Sequence, residues 1–392
     1  MNKDLSISFE FFPAKDETGH NNLWLSLKKL EQFSPKFFSV TFGAGGGERD
    51  KSDFLVKKIK NQSTIPAAGH LTCVDMSKDE VNSVALSWLK NGINKIVALR
   101  GDVRTKNSKY APHKEGYINA ADMVKGLKKL GNFEIAIAGY PEKHPESENE
   151  IKDLENLKNK VDQGADKIIT QFFFNYEKFL KFRDRAVSLG IKIPIIPGIL
   201  PIDNFEKVKN FSSKCGTTIP NWIEKEFAGL ETDSEIQKIV GASIACDLVK
   251  KLHAEGVDEF HFYTLNKYEL SYAVCKRLIG DKIATQLTGS KLLVGPSLRV
   301  QTTGRVQGDD DGRFDPHALR DILGQRIKID VFDALAFLAS SVAPAAFGLA
   351  DANPVGRLVA GSIVGRAVHE AFQQPRPHPV TALEILGHPL RA

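Results

Sequence analysis

The sequence predicts a (β/α)8 TIM barrel, of the α/β class, followed by a small helical C-terminal segment. Three observations predict it. Eight short apolar runs recur about every thirty residues over the first part of the chain, amphipathic stretches of helical period separate them, and seven of the eight runs close on a polar residue. Parallel strands alternating with helices bury their apolar faces as a closed barrel or a doubly wound sheet, and eight repeats in about 280 residues fit the barrel in count and length.

The first run, SISFEFF (6–12), is a strand by composition and carries one carboxylate, Glu10, among Ile7, Phe9, Phe11 and Phe12. Burial disfavours the charged form, so the segment by itself predicts a raised pKa and a protonated acid near neutral pH. A carboxylic acid kept neutral suits a general acid. The structural alternative is a strand-end glutamate paired with Lys or Arg. FFSVTFG (37–43) follows and ends near Thr41, then GAGGGE (Gly43 to Glu48), which is not a GxGxxG dinucleotide fingerprint and reads as a loop letting backbone approach a ligand. AAGHLTC (67–73) contributes His70, which is a rim histidine or a ligand contact; no second His or Cys stands at metal spacing, so no metal site is expected.

KIVALRGD (95–102) ends in Arg100 and Asp102, which could pair with each other, and EIAIAGY (134–140) ends in Tyr140. In KIITQFFF (167–174) the amide of Gln171 would be costly without a partner, and a ligand edge is a suitable one, while Phe172–Phe174 read as core. IPIIPGIL (193–200) is apolar throughout, and EFHFYTL (259–265) offers Tyr263, a packing residue with a hydroxyl at the rim. The intervening patterns predict helices over Asn22–Phe33, Lys78–Lys90, Glu150–Gln163 and Glu235–Glu255.

Composition excludes several function classes. The net charge of +5 over 392 residues comes without a Lys/Arg block of nucleic-acid type. The four cysteines, Cys73, Cys215, Cys246 and Cys275, have no CxxC or metal spacing and read as reduced thiols of a cytoplasmic protein, and acids at Asp4 and Glu10 interrupt any signal-peptide core. Composition also divides the chain. Residues 1–281 hold 35 Lys and 6 Arg, whereas 282–392 hold 3 Lys and 9 Arg with asparagine only at Asn353. The two parts read as a barrel domain and a distinct extension of unknown function. In the extension, GDDDGRFD (308–315) lacks EF-hand spacing and reads as a solvated turn. Ala334–Ala350 is uncharged, but short for a membrane span and interrupted by Pro344; with Val355–Phe372 it reads as a helical hairpin turning at Asp351–Pro354, before the proline-rich QQPRPHP (373–379). No membrane association is expected.

Several blocks in one order give the first part a family resemblance: SFEFFP (8–13), SVTFGAGGGERD (39–50), HLTC (70–73), IVALRGD (96–102), AGYPEKHPE (138–146), ENLKNKVDQGAD (155–166), TQFFF (170–174), IPGILPI (196–202) and FHFYTLN (260–266). Over residues 5 to about 280 the chain resembles the bacterial methylenetetrahydrofolate reductases. The resemblance implies a barrel that holds FAD non-covalently and reduces 5,10-methylenetetrahydrofolate to 5-methyltetrahydrofolate in one-carbon and methionine metabolism. NADH or NADPH is the hydride donor in a ping-pong cycle. It implies that Glu10 protonates the amine leaving as the folate ring opens. Asp102 would lie close to flavin and pterin, Gln171 would bind the pterin, and Phe205 would stack on the aminobenzoyl ring or nicotinamide. Thr41, His70, Arg100, Tyr140, His144 and Lys160 would contact FAD, with Arg100 and Lys160 suited to phosphate. Tyr263 and Lys267 complete the substrate side; Lys267 stands where the family pattern has arginine and keeps the charge without the bidentate fork. A homo-oligomer is expected. Two other readings stay open: a different barrel flavoenzyme such as a proline dehydrogenase, and a non-catalytic barrel scaffold acting through its tail.

Overall fold

The computed structural model describes residues 5–43, 49–102 and 110–289. The glycine run after Ala44 and the extension beyond residue 289 lie outside the described residues, as do the turn and helical hairpin expected there. Eight parallel strands form a closed barrel in sequence order: β1 (Ser6–Phe11), β2 (Phe38–Val40), β3 (Ala67–Thr72), β4 (Lys95–Leu99), β5 (Glu134–Gly139), β6 (Lys167–Phe172), β7 (Ile195–Ile199) and β8 (Glu259–Tyr263). Each lies inside one of the apolar runs. The helices are α1 (Glu17–Glu31), α2 (Arg49–Gln62), α3 (Lys78–Lys90), α4 (Ala120–Leu130), α5 (Glu150–Asp162), α6 (Tyr176–Ser188), α7 (Phe205–Cys215), α8 (Asn221–Phe227), α9 (Ser234–Ala254) and α10 (Glu269–Gly289). None of the described helices is long and apolar enough to cross a membrane.

Polar caps start many of these helices. Asp16, Ser77, Asn119, Asn149, Asn175, Asn204 and Asp233 each accept a backbone N–H from the first turn, and Ser77 with Glu80 forms a reciprocal capping box. Outward-facing residues of the strands, such as Phe9, Phe11, Phe38 and Phe262, join Leu23, Leu27, Trp88 and Leu252 of the helices in one core. At Gly69 a Cβ would come within 2.3 Å of the Trp88 ring, so only glycine lets α3 pack this close to β3.

Alternation then decides what lines the barrel. Phe37, Ala68, Val97, Ala136, Ile169 and Ile196 form a separate apolar layer that closes the interior toward the N-terminal ends of the strands. The seam between β1 and β8 is parallel, with Ser8 opposite His261 and Glu10 opposite Tyr263. Beyond it, Thr264 donates its hydroxyl to the Glu10 carbonyl at 2.7 Å. Asn266, at φ 61°, accepts from the Phe12 N–H and donates to the Phe12 carbonyl. These bonds fix the backbone on which Glu10 stands.

Candidate active site

Glu10 is the centre of a buried polar cluster at the C-terminal side of the barrel. Its Oε2 lies 3.3 Å from His70 Nε2 on β3 and 3.7 Å from His261 Nε2 on β8. The Glu10 side chain keeps about 20% exposure, His70 has 8%, and His261 has none. The other nitrogen of His261, Nδ1, is 2.7 Å from Ser8 Oγ, and the ring is stacked on Phe37 at 5.7 Å. Among the described residues, His70 Nε2, His261 Nε2 and Ser39 Oγ are buried without a well-formed hydrogen bond. The two nitrogens therefore face the carboxylate as their polar neighbour.

This geometry corrects the expectation of a carboxyl kept neutral by burial. Burial does push the Glu10 pKa up, but the charge of His70 and the approach of both imidazoles outweigh it and hold the carboxyl down at about 2. The apolar run is silent on this because both histidines arrive from strands distant in sequence. Tyr263, opposite Glu10 in register, donates its hydroxyl to the Thr170 carbonyl at 2.8 Å, and burial together with the Glu10 charge pushes its phenol pKa up.

A second group sits on the rim after β4 and β5. Arg100 pairs with Glu146 rather than Asp102 and lies over the Tyr110 ring, 4.7 Å from its centroid. Gly101 at φ 86° turns the chain between Arg100 and the exposed Asp102. The charge of Asp102 acts on Arg100, Tyr140 and Cys215, and so places the four residues around one patch. Tyr140 meets His144 edge-on at 4.6 Å. Burial and the Arg100 charge lower the His144 pKa, and the His144 N–H donates to Asp153. Lys160, on α5, reaches back to the Ala138 carbonyl at 2.6 Å, and burial lowers its pKa to about 8. Thr41 follows β2, its N–H donating to the Phe11 carbonyl.

On the β6 side, Gln171 accepts the Phe172 N–H through its side-chain oxygen. Lys267 stands apart, mostly exposed and paired with Asp203 at 2.6 Å. Phe205 opens α7. It is 8% exposed and stacked flat on Phe227 at 4.7 Å, in a cluster that joins α7, α8 and α9 to the end of β6, so one face of its ring is covered. The more exposed aromatic of this helix, which the sequence reading did not single out, is Phe211, six residues later on α7: it is 42% exposed and stacked on Phe172, which also meets the rings of Phe174 and Tyr263. No signal in FEKVKNF (205–211) separates the two phenylalanines. His261 and Ser8 were also missed, although a period of two marks them: each lies two residues before a recognised site residue on the same strand, and so on the same face.

A closed parallel barrel with an acid, two imidazoles, an amide and cationic rim groups at the C-terminal ends of its strands defines a (β/α)8 enzyme of small-molecule chemistry. Comparison with known proteins narrows this. Residues 1–279 match the family model for methylenetetrahydrofolate reductase. The 5,10-methylenetetrahydrofolate reductases of Salmonella typhimurium, Escherichia coli and Pectobacterium carotovorum are 49%, 48% and 47% identical over 274 residues, which is 70% of this chain and 90% of each relative. The chain belongs to the methylenetetrahydrofolate reductase family, and is an oxidoreductase acting on a folate.

Proposed function

We propose that this chain reduces 5,10-methylenetetrahydrofolate to 5-methyltetrahydrofolate with hydride from NADH or NADPH, passed through a non-covalently held FAD in a ping-pong cycle. The observation that carries the reading is the Glu10 carboxyl at the barrel mouth, reachable from outside and backed by two imidazoles. A proton donor is needed there because the ring amine of the folate leaves only when it is protonated.

The rim fits a flavin dinucleotide. Lys160 is a half-buried ammonium whose hydrogen bond goes to a neutral carbonyl and whose burial outweighs the nearby Asp153 charge, so an anionic phosphate would add the compensation it lacks. Arg100 supplies a second cation, and Thr41, His70, Asp102, Tyr140 and His144 complete the cofactor side. When bound, FAD supplies a two-electron hydride carrier. The chain's own residues do the rest. Glu10, ionised in the free protein, takes up a proton as the bound folate excludes water from the mouth and passes it to the leaving amine. Asp102 holds the pterin amino group as an anion, and Gln171 offers amide contacts to the pterin edge. Tyr263 walls the pocket. Phe211, rather than Phe205, presents the aromatic face for stacking, and Lys267 meets the carboxylates of the folate tail. Residues 1–281 are the reductase domain and 282–392 a separate extension; the composition change and the end of the family match at residue 279 support that division. Cytoplasmic location and a homo-oligomer belong to the same reading.

An anaerobic visible spectrum tests it. The flavin band of the purified protein should bleach with NADH and return with methylenetetrahydrofolate. A flavin that stays reduced after folate is added would overturn the assignment of substrate.

A further inference from the structure

Resting on the reading of the chain as a folate reductase with Phe211 as its stacking ring, we propose that Glu142 is a positioning residue for that ring. It clamps the C-terminal end of α7 to the loop that carries Tyr140 and His144, and so fixes where Phe211 stands. Glu142 acts through Phe211 and through the loop, not on the reacting atoms.

Glu142 lies on the loop between β5 and α5, two residues after Tyr140 and two before His144. Its side chain is 7% exposed, although it stands on a rim loop. Oε1 accepts the Thr218 N–H at 3.1 Å, and Oε2 accepts the Thr218 hydroxyl at 2.6 Å. Oε2 also pairs with the ammonium of Lys178 on α6, which in turn donates to the Thr218 hydroxyl oxygen at 2.7 Å. Three side chains from three parts of the chain thus close one polar triangle. A carboxylate taken this far out of water is held only where such partners replace the water it loses.

The triangle sits just past the end of α7. Gly216 ends that helix at φ 70°, and a Cβ there would stand 3.2 Å from the Pro145 ring, so the helix end packs directly on the loop after β5. Thr217 donates its hydroxyl to the Phe172 carbonyl at 3.0 Å in a buried bond, which pins the same turn to the end of β6. At the other end of α7, the Asn204 side chain caps the helix and Gln237 of α9, itself 3% exposed, accepts the Phe205 N–H at 2.8 Å. The N-terminal end is therefore fixed from inside the protein, whereas the C-terminal end is fixed against the rim. Phe211 stands one turn before that C-terminal end, stacked on Phe172. Tyr140, Glu142, Gln171, Phe172, Cys215 and Thr217 line one cleft between the loop and the helix end. Lys143, beside the clamp, stands at φ 80°, a backbone that a lysine keeps only where its neighbours hold it. Loosening the triangle frees the loop and the last turn of α7 together. The stacking face is then less well placed for the substrate, while Glu10 and the strands that carry it are untouched, so affinity falls and the chemical steps keep their rates.

Kinetics of the FAD-loaded protein test the clamp through Thr218→Val, which removes the hydroxyl shared by Glu142 and Lys178. Thr218→Ser serves as the rescue, and flavin content and thermal melting check folding. KM for methylenetetrahydrofolate should rise about 10-fold in Thr218→Val, the size of one hydrogen bond to a charged group. The saturating rates of both half-reactions should be kept, and KM should return in Thr218→Ser. Phe211→Ala should raise KM as well, and adding Thr218→Val to it should change KM no further, because no ring is then left to place. An unchanged KM in Thr218→Val, or effects of the two substitutions that add in full, would overturn the clamp while leaving Phe211 in its role. An unchanged KM in Phe211→Ala would overturn the stacking role and the clamp with it. A reduced flavin that methylenetetrahydrofolate cannot reoxidise in the unsubstituted protein would instead overturn the reading of the reaction. If Thr218→Val fails to fold, the same cycle with Glu142→Gln decides.

Discussion

The Tyr263 ring occupies the space that a side chain at position 198 would need. A Cβ on Gly198 would stand 2.5 Å from the ring and 2.2 Å from the Thr170 carbonyl that accepts the Tyr263 hydroxyl. Gly198→Ala must therefore move either β6 or the tyrosine. Overpacking of this kind costs about 1–3 kcal/mol. The expected outcome is a lowered melting temperature with folate reduction impaired more than reduction by NADH, measured on the two half-reactions separately.

Lys160 predicts how cofactor affinity depends on pH. Its pKa in the free protein is about 8, and a phosphate partner favours the ammonium, so FAD binding should be tightest below pH 8 and weaken as pH rises through that value. Stability of the cofactor-free protein should run the other way. Its folded pKa lies below the ordinary 10.5, so the unfolded chain binds the extra proton between about 8 and 10.5 and this contribution rises with pH across that window. Lys160→Met should raise the melting temperature of the free protein at neutral pH and weaken FAD binding about 10- to 100-fold, the loss of one charge-assisted bond. Titration of the apoprotein with FAD and thermal melts check both.

Glu10→Gln separates the two halves of the proposed cycle. Loss of a general acid costs about 10²- to 10⁴-fold, so the folate step should fall by that factor while bleaching by NADH continues. Acid stability should change as well. The Glu10 pKa falls from 4.5 to about 2 on folding, and the stabilisation is present above pH 4.5 and lost as pH falls through 2. The Gln variant should show a flatter loss of stability over that range.

The two phenylalanines of α7 predict opposite phenotypes. Phe205→Ala removes a buried ring stacked on Phe227 and should cost about 3–5 kcal/mol of stability. Phe211→Ala trims a half-exposed ring and should leave the melting temperature nearly unchanged while raising KM for folate or NADH. A stable Phe205→Ala with weakened binding would reverse the assignment.

The fold was legible because its evidence is local: each strand is an apolar run bounded by turns, and each of β1 to β8 falls inside the run that predicts it. The site was legible where a lone polar residue interrupts such a run, as Glu10, His70 and Gln171 do. It was not legible where the answer depends on what a distant strand brings. The ionisation of Glu10 is decided by His70 and His261, which come from strands 60 and more than 250 residues away, and the covering of Phe205 by Phe227 is decided by how α7 and α8 pack. Arg100 illustrates the same limit, since its partner, Glu146, comes from the loop after β5 rather than from its neighbour Asp102.

The seam contacts Ser8–His261, Thr264–Glu10 and Asn266–Phe12 each span more than 250 residues. Synthesis delivers β1 first and its partner β8 last, so the first strand waits for nearly the whole domain before its edge is covered. Glu10 acquires its final backbone bonds and its deeper histidine only when that closure happens. A chain halted before β8 would carry the acid, the amide and the cationic rim, yet none of the seam that aligns them, and the onset of folate reduction during refolding would report the closing of the barrel itself.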